Sequence, residues 1–68
     1  NPSLGEFNIS LYGEWNYQLI DLMGREILSG NHLGQNGVLT INVNEAGVYL
    51  LRLTNSAGKS LTQKLIRK

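Results

Sequence analysis

The 68-residue chain contains no cysteine and only one histidine, and these shortages exclude whole classes of chemistry. No disulfide can stabilise the fold, and the Cys and His spacings that bind zinc are absent. The absence of cysteine fits a reducing compartment, although an exported domain can lack cysteine equally well. We interpret His32 as a solvated loop histidine rather than a ligand or a catalytic base. The sequence therefore predicts no metal and no cofactor.

The chain also has no large excess of charge of either sign. Six basic residues face five acidic ones, giving a net charge of +1. Nucleic-acid-binding domains usually carry a clustered basic face, so no nucleic-acid partner is expected. The only basic concentration is the end of the chain, at Lys64, Arg67 and Lys68. This pattern favours a solvated charged terminus over a specific anion site.

Long hydrophobic runs are missing, and no segment approaches the 20 or so apolar residues of a transmembrane helix. The longest apolar segment, 48–53, lies between turn formers at 44–47 and 55–58. Such a run is typical of a buried strand. Alternation places Tyr49, Leu51 and Leu53 on one face and Val48, Leu50 and Arg52 on the other. We expect this strand to be central in its sheet.

The rest of the chain alternates between apolar and polar residues, and no segment has helical periodicity. Alternation predicts five further strands, at 6–12, 15–21, 26–33, 38–43 and 59–66. Inward positions include Phe7, Ile9, Leu11, Leu39, Ile41, Val43, Leu61 and Leu65, and strand 26–33 has edge character. Gly13-Glu14 predicts a tight hairpin between the first two of these strands, and Asn36-Gly37 is the strongest turn signal. The fold class expected is all-β: one small antiparallel β-sandwich of about six to seven short strands with no helix.

Candidate catalytic groups are few. Asp21 and Glu26 flank one turn, where a turn-capping aspartate and a solvated glutamate are favoured over an acid–base pair. The serines have no base nearby in sequence, and no glycine-rich phosphate motif is present. We therefore expect that the domain is not an enzyme.

Trp15 and Tyr17 leave a second function open. They share one strand face, which suits a sugar-stacking platform in a carbohydrate-binding or adhesion-type β-sandwich module. The same residues are in phase with Leu19, and a domain this small needs its large side chains in the core, which favours burial. A row of solvent-facing rings, joined by Tyr12, would support the binding module. A third possibility is a structural module that only spaces its neighbours.

Four motifs, taken in order, resemble one known family. They are Asn1-Pro2-x-x-Gly5, Asp21-Leu22-Met23-Gly24-Arg25, the stretch 46–53 with Gly47-Val48-Tyr49, and Gly58-Lys59 followed by the basic end 62–68. This order resembles the C-terminal sorting domain of type IX secretion cargo, the type A or Por secretion C-terminal domain. Each motif is common by itself, but the resemblance covers essentially the whole chain.

The resemblance implies a fold and a function. The fold is an immunoglobulin-like sandwich that ends a larger exported protein, of which residues 1–68 are a fragment, as the start at Asn1-Pro2 without Met also suggests. The function is that of a non-catalytic signal that takes folded cargo from the periplasm across the outer membrane to the medium or the cell surface. The implied partners are the outer-membrane translocon and its shuttle proteins, a sortase protease that removes the domain, and anionic lipopolysaccharide joined to the cargo.

The resemblance also marks particular positions of this chain. They are Pro2, Gly5, Asp21, Gly24, Arg25, Gly47, Tyr49, Lys64, Arg67 and Lys68. Folding roles are favoured for the glycines and Tyr49, whereas Arg25 and Lys64 are better recognition candidates because exposed charge adds little stability. The family often has a tyrosine and further β residues before the Asn-Pro, which this chain lacks. A missing strand would leave an open sheet edge and favour a dimer through it.

Overall fold

The computed structural model describes residues 2–3, 5–33 and 37–68, and this part of the chain is all-β with no helix. The strands are β1 (Pro2–Ser3), β2 (Glu6–Ser10), β3 (Trp15–Asp21), β4 (Glu26–His32), β5 (Val38–Asn42), β6 (Gly47–Thr54) and β7 (Ser60–Arg67). The predicted fold class is confirmed. The short strands follow from alternating side chains interrupted by glycine-containing turns.

Two sheets form the sandwich. The larger has five strands in the order β1-β7-β6-β3-β4, and the smaller pairs β2 with β5. All pairs are antiparallel except the two-residue β1, which runs parallel to β7. Strand β6 pairs with β3 on one side and β7 on the other, which confirms its predicted central position.

The hydrophobic core lies between the facing sides of the two sheets. The buried cluster consists of Phe7, Ile9, Leu11, Trp15, Leu19, Leu39, Ile41, Val43, Tyr49, Leu51, Leu53 and Leu65. Most of the inward positions expected from alternation are in it, whereas Leu61, on the same face of β7, stays 43% exposed. Period-two alternation predicts a buried face well because it is a local property of an extended chain.

The predicted hairpin at Gly13-Glu14 is wrong. Strand β2 pairs with β5, whereas β3 pairs with β4 and β6, so the chain between β2 and β3 crosses from one sheet to the other. Both strands are amphipathic, and placing them in opposite sheets turns both apolar faces into the same core. Gly-Glu also lacks the Asn-Gly chemistry that favours a tight hairpin.

The ends of several elements differ from expectation. The five strands predicted beside the central one do not include β1, in which Pro2 pairs with Ile66 at the sheet edge, where proline is tolerated. Strand β2 ends at Ser10 rather than residue 12. Of the predicted Asn36-Gly37 turn, Asn36 lies outside the described residues, and Gly37 has φ of +73°.

His32 also differs from the prediction of a solvated loop residue. It ends β4 and is half-buried, and its Nε2 lies 2.9 Å from the carbonyl oxygen of Leu11. The histidine therefore ties the end of β4 to the chain that follows β2.

The aromatic residues do not form a row on the surface. Trp15 is 8% exposed, and its Nε1 donates to the carbonyl oxygen of Tyr12 at 2.8 Å. Tyr17 is half-buried and lies over Gly30, where a Cβ atom would be 2.6 Å from the tyrosine oxygen. Only Tyr12, 76% exposed, presents its ring to solvent. The interpretation of Trp15 as a core residue is confirmed.

Candidate recognition surface

Most of the positions marked by sequence lie at one end of the sandwich, which we call the motif end. It consists of the β3–β4 turn, residues 43–47 before β6, and the last residues of β7. Asp21 pairs with Tyr49 and Gly47 pairs with Arg67, so three motifs far apart in sequence become neighbours. At the same end the carbonyl oxygen of Gly5 accepts the backbone N–H of Val43 at 2.8 Å. Sheet register, rather than any local signal, gathers them.

The β3–β4 turn is held by one carboxylate. Oδ1 of Asp21 accepts the backbone N–H groups of Met23 and Arg25, both at 2.9 Å, and Oδ2 accepts Nε of Arg25 at 3.1 Å. Two backbone hydrogen bonds of 3.0 Å close the turn, from Asp21 N to the Arg25 carbonyl and from Gly24 N to the Asp21 carbonyl. The predicted role of Asp21 as a turn cap is confirmed. Glu26 is exposed and instead accepts Gln18 Nε2 at 2.7 Å.

These hydrogen bonds also set the charge of the turn. The backbone N–H of Arg25 is the main cause that lowers the pKa of the Asp21 carboxyl below its ordinary value, and the Met23 N–H and the Arg25 charge act in the same direction. Desolvation opposes them in part. The ion pair joins Asp21 to an Arg25 side chain that is 72% exposed, so its own contribution to stability is small. The guanidinium therefore remains accessible to a partner.

Tyr49 holds the loop formed by residues 43–47, which lies at the same end as that turn. Its ring is buried, and its hydroxyl donates to the carbonyl oxygen of Glu45 at 2.7 Å, since a buried tyrosine hydroxyl usually needs a hydrogen-bond partner. Gly47 precedes it with φ of +156°, and a Cβ atom there would lie 3.6 Å from the tyrosine ring. Both residues therefore shape the motif end through folding.

The basic end of the chain is not uniformly solvated. Lys64 and Lys68 are exposed as predicted, but Arg67 is half-buried. Its Nε donates to the carbonyl oxygen of Val43 at 3.3 Å and its Nη1 to that of Lys68, 2.6 Å away. Arg67 thus links the end of β7 to the smaller sheet, a role that short-range patterns did not reveal. Lys64 pairs with Leu50 and lies on the face turned away from the core.

Sequence reasoning missed the apolar part of this end. Leu22 and Met23, inside the β3–β4 turn, are 70% and 94% exposed. A groove of about 430 Å³ lies at the same end, and its lining includes Asp21 and Arg25 of the turn, Ile27, Leu28 and residues 42–49. Two large apolar residues inside a D-x-x-G-R turn, where the chain must face solvent, are a signal that was present in the sequence.

The surface carries little that suggests catalysis. Across the part of the chain that the structure describes, no three His, Asp or Glu side chains come together as a metal site. Within the same residues, no helix has the length and apolar character needed to cross a membrane. The motif end offers hydrogen bonding, the exposed guanidinium of Arg25 and apolar contact.

The fold and this surface define a small β-sandwich whose motif residues gather mostly at one end. The chain matches the family described as the secretion system C-terminal sorting domain over residues 1–68, its whole length, and it belongs to that family. This is the type IX sorting domain, so the domain interacts with secretion machinery and implies export to the cell surface or the medium. No curated protein and no solved structure shows significant similarity to the chain.

Proposed function

We propose that this domain is a non-catalytic address that directs a folded cargo protein from the periplasm across the outer membrane through the type IX translocon. The observation that carries the proposal is the family match across all 68 residues. The motif end supports it, because sheet register brings three of the motifs together there and hydrogen bonds hold its turn and loop.

The finer steps are part of the same proposal and rest on the resemblance. Residues 1–68 act as the C-terminal domain of a larger exported protein, with an immunoglobulin-like fold. Shuttle proteins and the translocon read the domain, a sortase removes it upstream, and anionic lipopolysaccharide is joined to the released cargo. Among the marked residues, the exposed cations Arg25, Lys64 and Lys68 are the best candidates for direct contact.

We propose the outer edge of β7 as the place of the dimer. Strand β7 runs from residue 60 to 67, and among the described residues only Pro2 and Ser3 pair with its outer edge. An edge of this kind accepts another strand. We propose that two copies pair there in isolation, which sedimentation at increasing concentration would detect.

The carbohydrate-binding alternative receives no comparable support. It requires a row of exposed rings, but Trp15 is buried and Tyr17 is half-buried against Gly30. We therefore keep the sorting function as the conclusion.

An export assay tests it. A folded reporter behind a Sec signal peptide is fused to this chain with a short native upstream segment. The fusion is expressed in a host that has the type IX apparatus and in a matched host that lacks it. We expect reporter outside the first host and reporter retained in the periplasm of the second. Retention in both hosts, for a fusion shown to be folded, would contradict the proposal.

A further inference from the structure

Two turns at opposite ends of the larger sheet share one architecture. In the β6–β7 turn, Oδ1 of Asn55 accepts the N–H groups of Ala57 at 3.1 Å and Lys59 at 2.9 Å, as Asp21 does for Met23 and Arg25. The same two backbone hydrogen bonds of 3.0 Å close both turns. Gly24 and Gly58 have φ of +84° and +86°. The motif Asp/Asn-x-x-Gly-Arg/Lys thus forms the same turn twice.

The two turns differ at their middle positions. The β3–β4 turn has Leu22-Met23 where the β6–β7 turn has Ser56-Ala57. Because the same backbone forms with small residues, the fold does not require large apolar side chains there. Leu22 and Met23 nevertheless expose 70% and 94% of their surface at a rigid, hydrogen-bonded tip. Exposed apolar side chains stabilise a molecule only when their surface is removed from water, for example by a binding partner.

A β-bulge adds to the apolar surface beside this tip. The register between β3 and β4 shifts at Leu19/Ile20, where Ile20 pairs with Glu26 and Leu19 with Leu28. Ile27 is left between these pairs, 38% exposed, and lines the groove of the motif end. Bulges commonly re-aim a side chain in this way. Ile27 therefore adds an exposed apolar side chain near the tip, in a groove whose lining also includes Asp21, Arg25 and Glu45.

We propose that Leu22 and Met23 are the anchor residues through which this domain docks on an outer-membrane protein of the secretion apparatus. The partner chemistry that fits is an apolar pocket for the two side chains, with a carboxylate at its rim for Arg25. Among the described residues, Asp21 is bonded to Nε of that guanidinium, and the two other guanidinium nitrogens make no hydrogen bond to a side chain. This inference rests on the proposed sorting function and names the contact that carries it.

The charges around the tip favour a protein over a lipid surface. Asp21, Glu26 and Glu45 are carboxylates at or beside the tip and groove, and Asp21 is held ionised. An anionic headgroup layer would meet these charges at the same time as Arg25. A protein pocket places its polar groups individually and avoids that conflict.

The β6–β7 turn supplies the residues for the test variant. The double substitution L22S/M23A gives the β3–β4 turn the middle residues already present in the β6–β7 turn, so the fold is expected to persist with an unchanged midpoint of urea unfolding. The matched control, S56L/A57M, adds the same two apolar residues to the other turn. Both are made in the full reporter fusion and compared with the unsubstituted fusion in the type IX host.

The inference predicts that L22S/M23A lowers export about tenfold or more, as expected for two anchor residues, while S56L/A57M exports normally. Normal export by L22S/M23A would overturn the docking role and leave the sorting function standing. Failure of the unsubstituted fusion would reject the sorting function and this inference with it. Equal loss in both variants would show an effect of apolar surface in general and would also overturn it.

Site-specific crosslinking keeps the test decisive if L22S/M23A is unstable. A photoreactive residue at position 23 should crosslink to an outer-membrane component of the apparatus, whereas one at position 57 should not. The absence of a crosslink at position 23 during active export would contradict the proposal. The domain is also mixed with vesicles of phosphatidylethanolamine and phosphatidylglycerol and tested for flotation. Flotation that depends on Leu22 and Met23 would contradict the proposal, because the partner would then be a membrane.

Discussion

At the scale of single residues, Asp21 and Asn55 show that one hydrogen-bonding role is filled by a charged and by a neutral side chain. Both accept two backbone N–H groups through Oδ1. Only Asp21 adds a contact to an arginine, Arg25, and only Asp21 titrates. The comparison separates the geometry of the turn from its charge.

This separation predicts a pH dependence. Because the folded state lowers the pKa of Asp21, the stability it contributes is present above its unfolded pKa, about 4, and is lost as the pH falls below that value. In Asp21→Asn the amide keeps both backbone contacts, as Asn55 does, and does not titrate. We expect the midpoint of urea unfolding to fall less between pH 6 and pH 3 in this variant than in the unsubstituted domain. An equal fall in both would show that Asp21 does not contribute to acid sensitivity.

Tyr49 gives a second prediction at this scale. Tyr49→Phe removes the hydroxyl bonded to Glu45 and should lower the free energy of unfolding by about 1 kcal/mol. Tyr49→Ala also empties a buried site and should cost about 3 kcal/mol or more. Urea unfolding measures both changes. Near-equal losses would mean that ring packing contributes little beyond the hydroxyl.

At the scale of elements, the turns set the positions of the strands, and glycine makes both hairpin turns possible. Gly24 and Gly58 occupy the left-handed region at nearly the same φ. A Cβ atom at either position would meet nothing within 4 Å. Any cost of substitution there comes from the backbone and not from crowding.

We therefore expect Gly24→Val to lower the free energy of unfolding by about 1–2 kcal/mol, with Gly24→Asn costing less because asparagine tolerates positive φ. Gly58→Val is the matched control and should cost a similar amount. Thermal or urea unfolding of the three variants gives the comparison. A neutral Gly24→Val would mean that the turn relaxes to another backbone conformation at no cost.

At the scale of the whole molecule, the domain has a small core and a correspondingly small margin of stability. Domains of this size bury only about 60% of their unfolded surface, and total stabilities of proteins start near 5 kcal/mol. If the machinery reads a folded shape, export should follow the folded fraction. Leu51 in the central strand β6 is fully buried and pairs with Leu19 and Gln63, so it is the place to test this.

Leu51→Ala should cost about 2–5 kcal/mol, enough to unfold much of the population and to reduce export in the same proportion. Arg52→Ala, at the exposed neighbouring position, is the control and should leave both stability and export nearly unchanged. Circular dichroism on the isolated domain and the reporter assay give the two readouts. Full export of an unfolded Leu51→Ala domain would show that the signal is linear sequence rather than shape.

The sequence by itself determined the properties that depend on neighbouring residues. Alternation identified the central strand and most of the core, because side chains of an extended strand point to opposite faces with a period of two. The Asp21 cap and the positive φ of Gly24 were predictable for the same reason, since a turn of five residues closes on itself.

Only the tertiary structure decided which strands pair and what their pairing brings together. The partner of β2 is β5, the two-residue β1 runs parallel to β7, and Arg67 reaches Val43, 24 positions away. The shared motif of the β3–β4 and β6–β7 turns can be read from the sequence. Their equivalent backbone hydrogen bonds and the exposure of Leu22 and Met23 are known only from the structure. These features arise because both amphipathic sheets are buried in one core. That burial depends on residues far apart in the sequence, so no short segment predicts it.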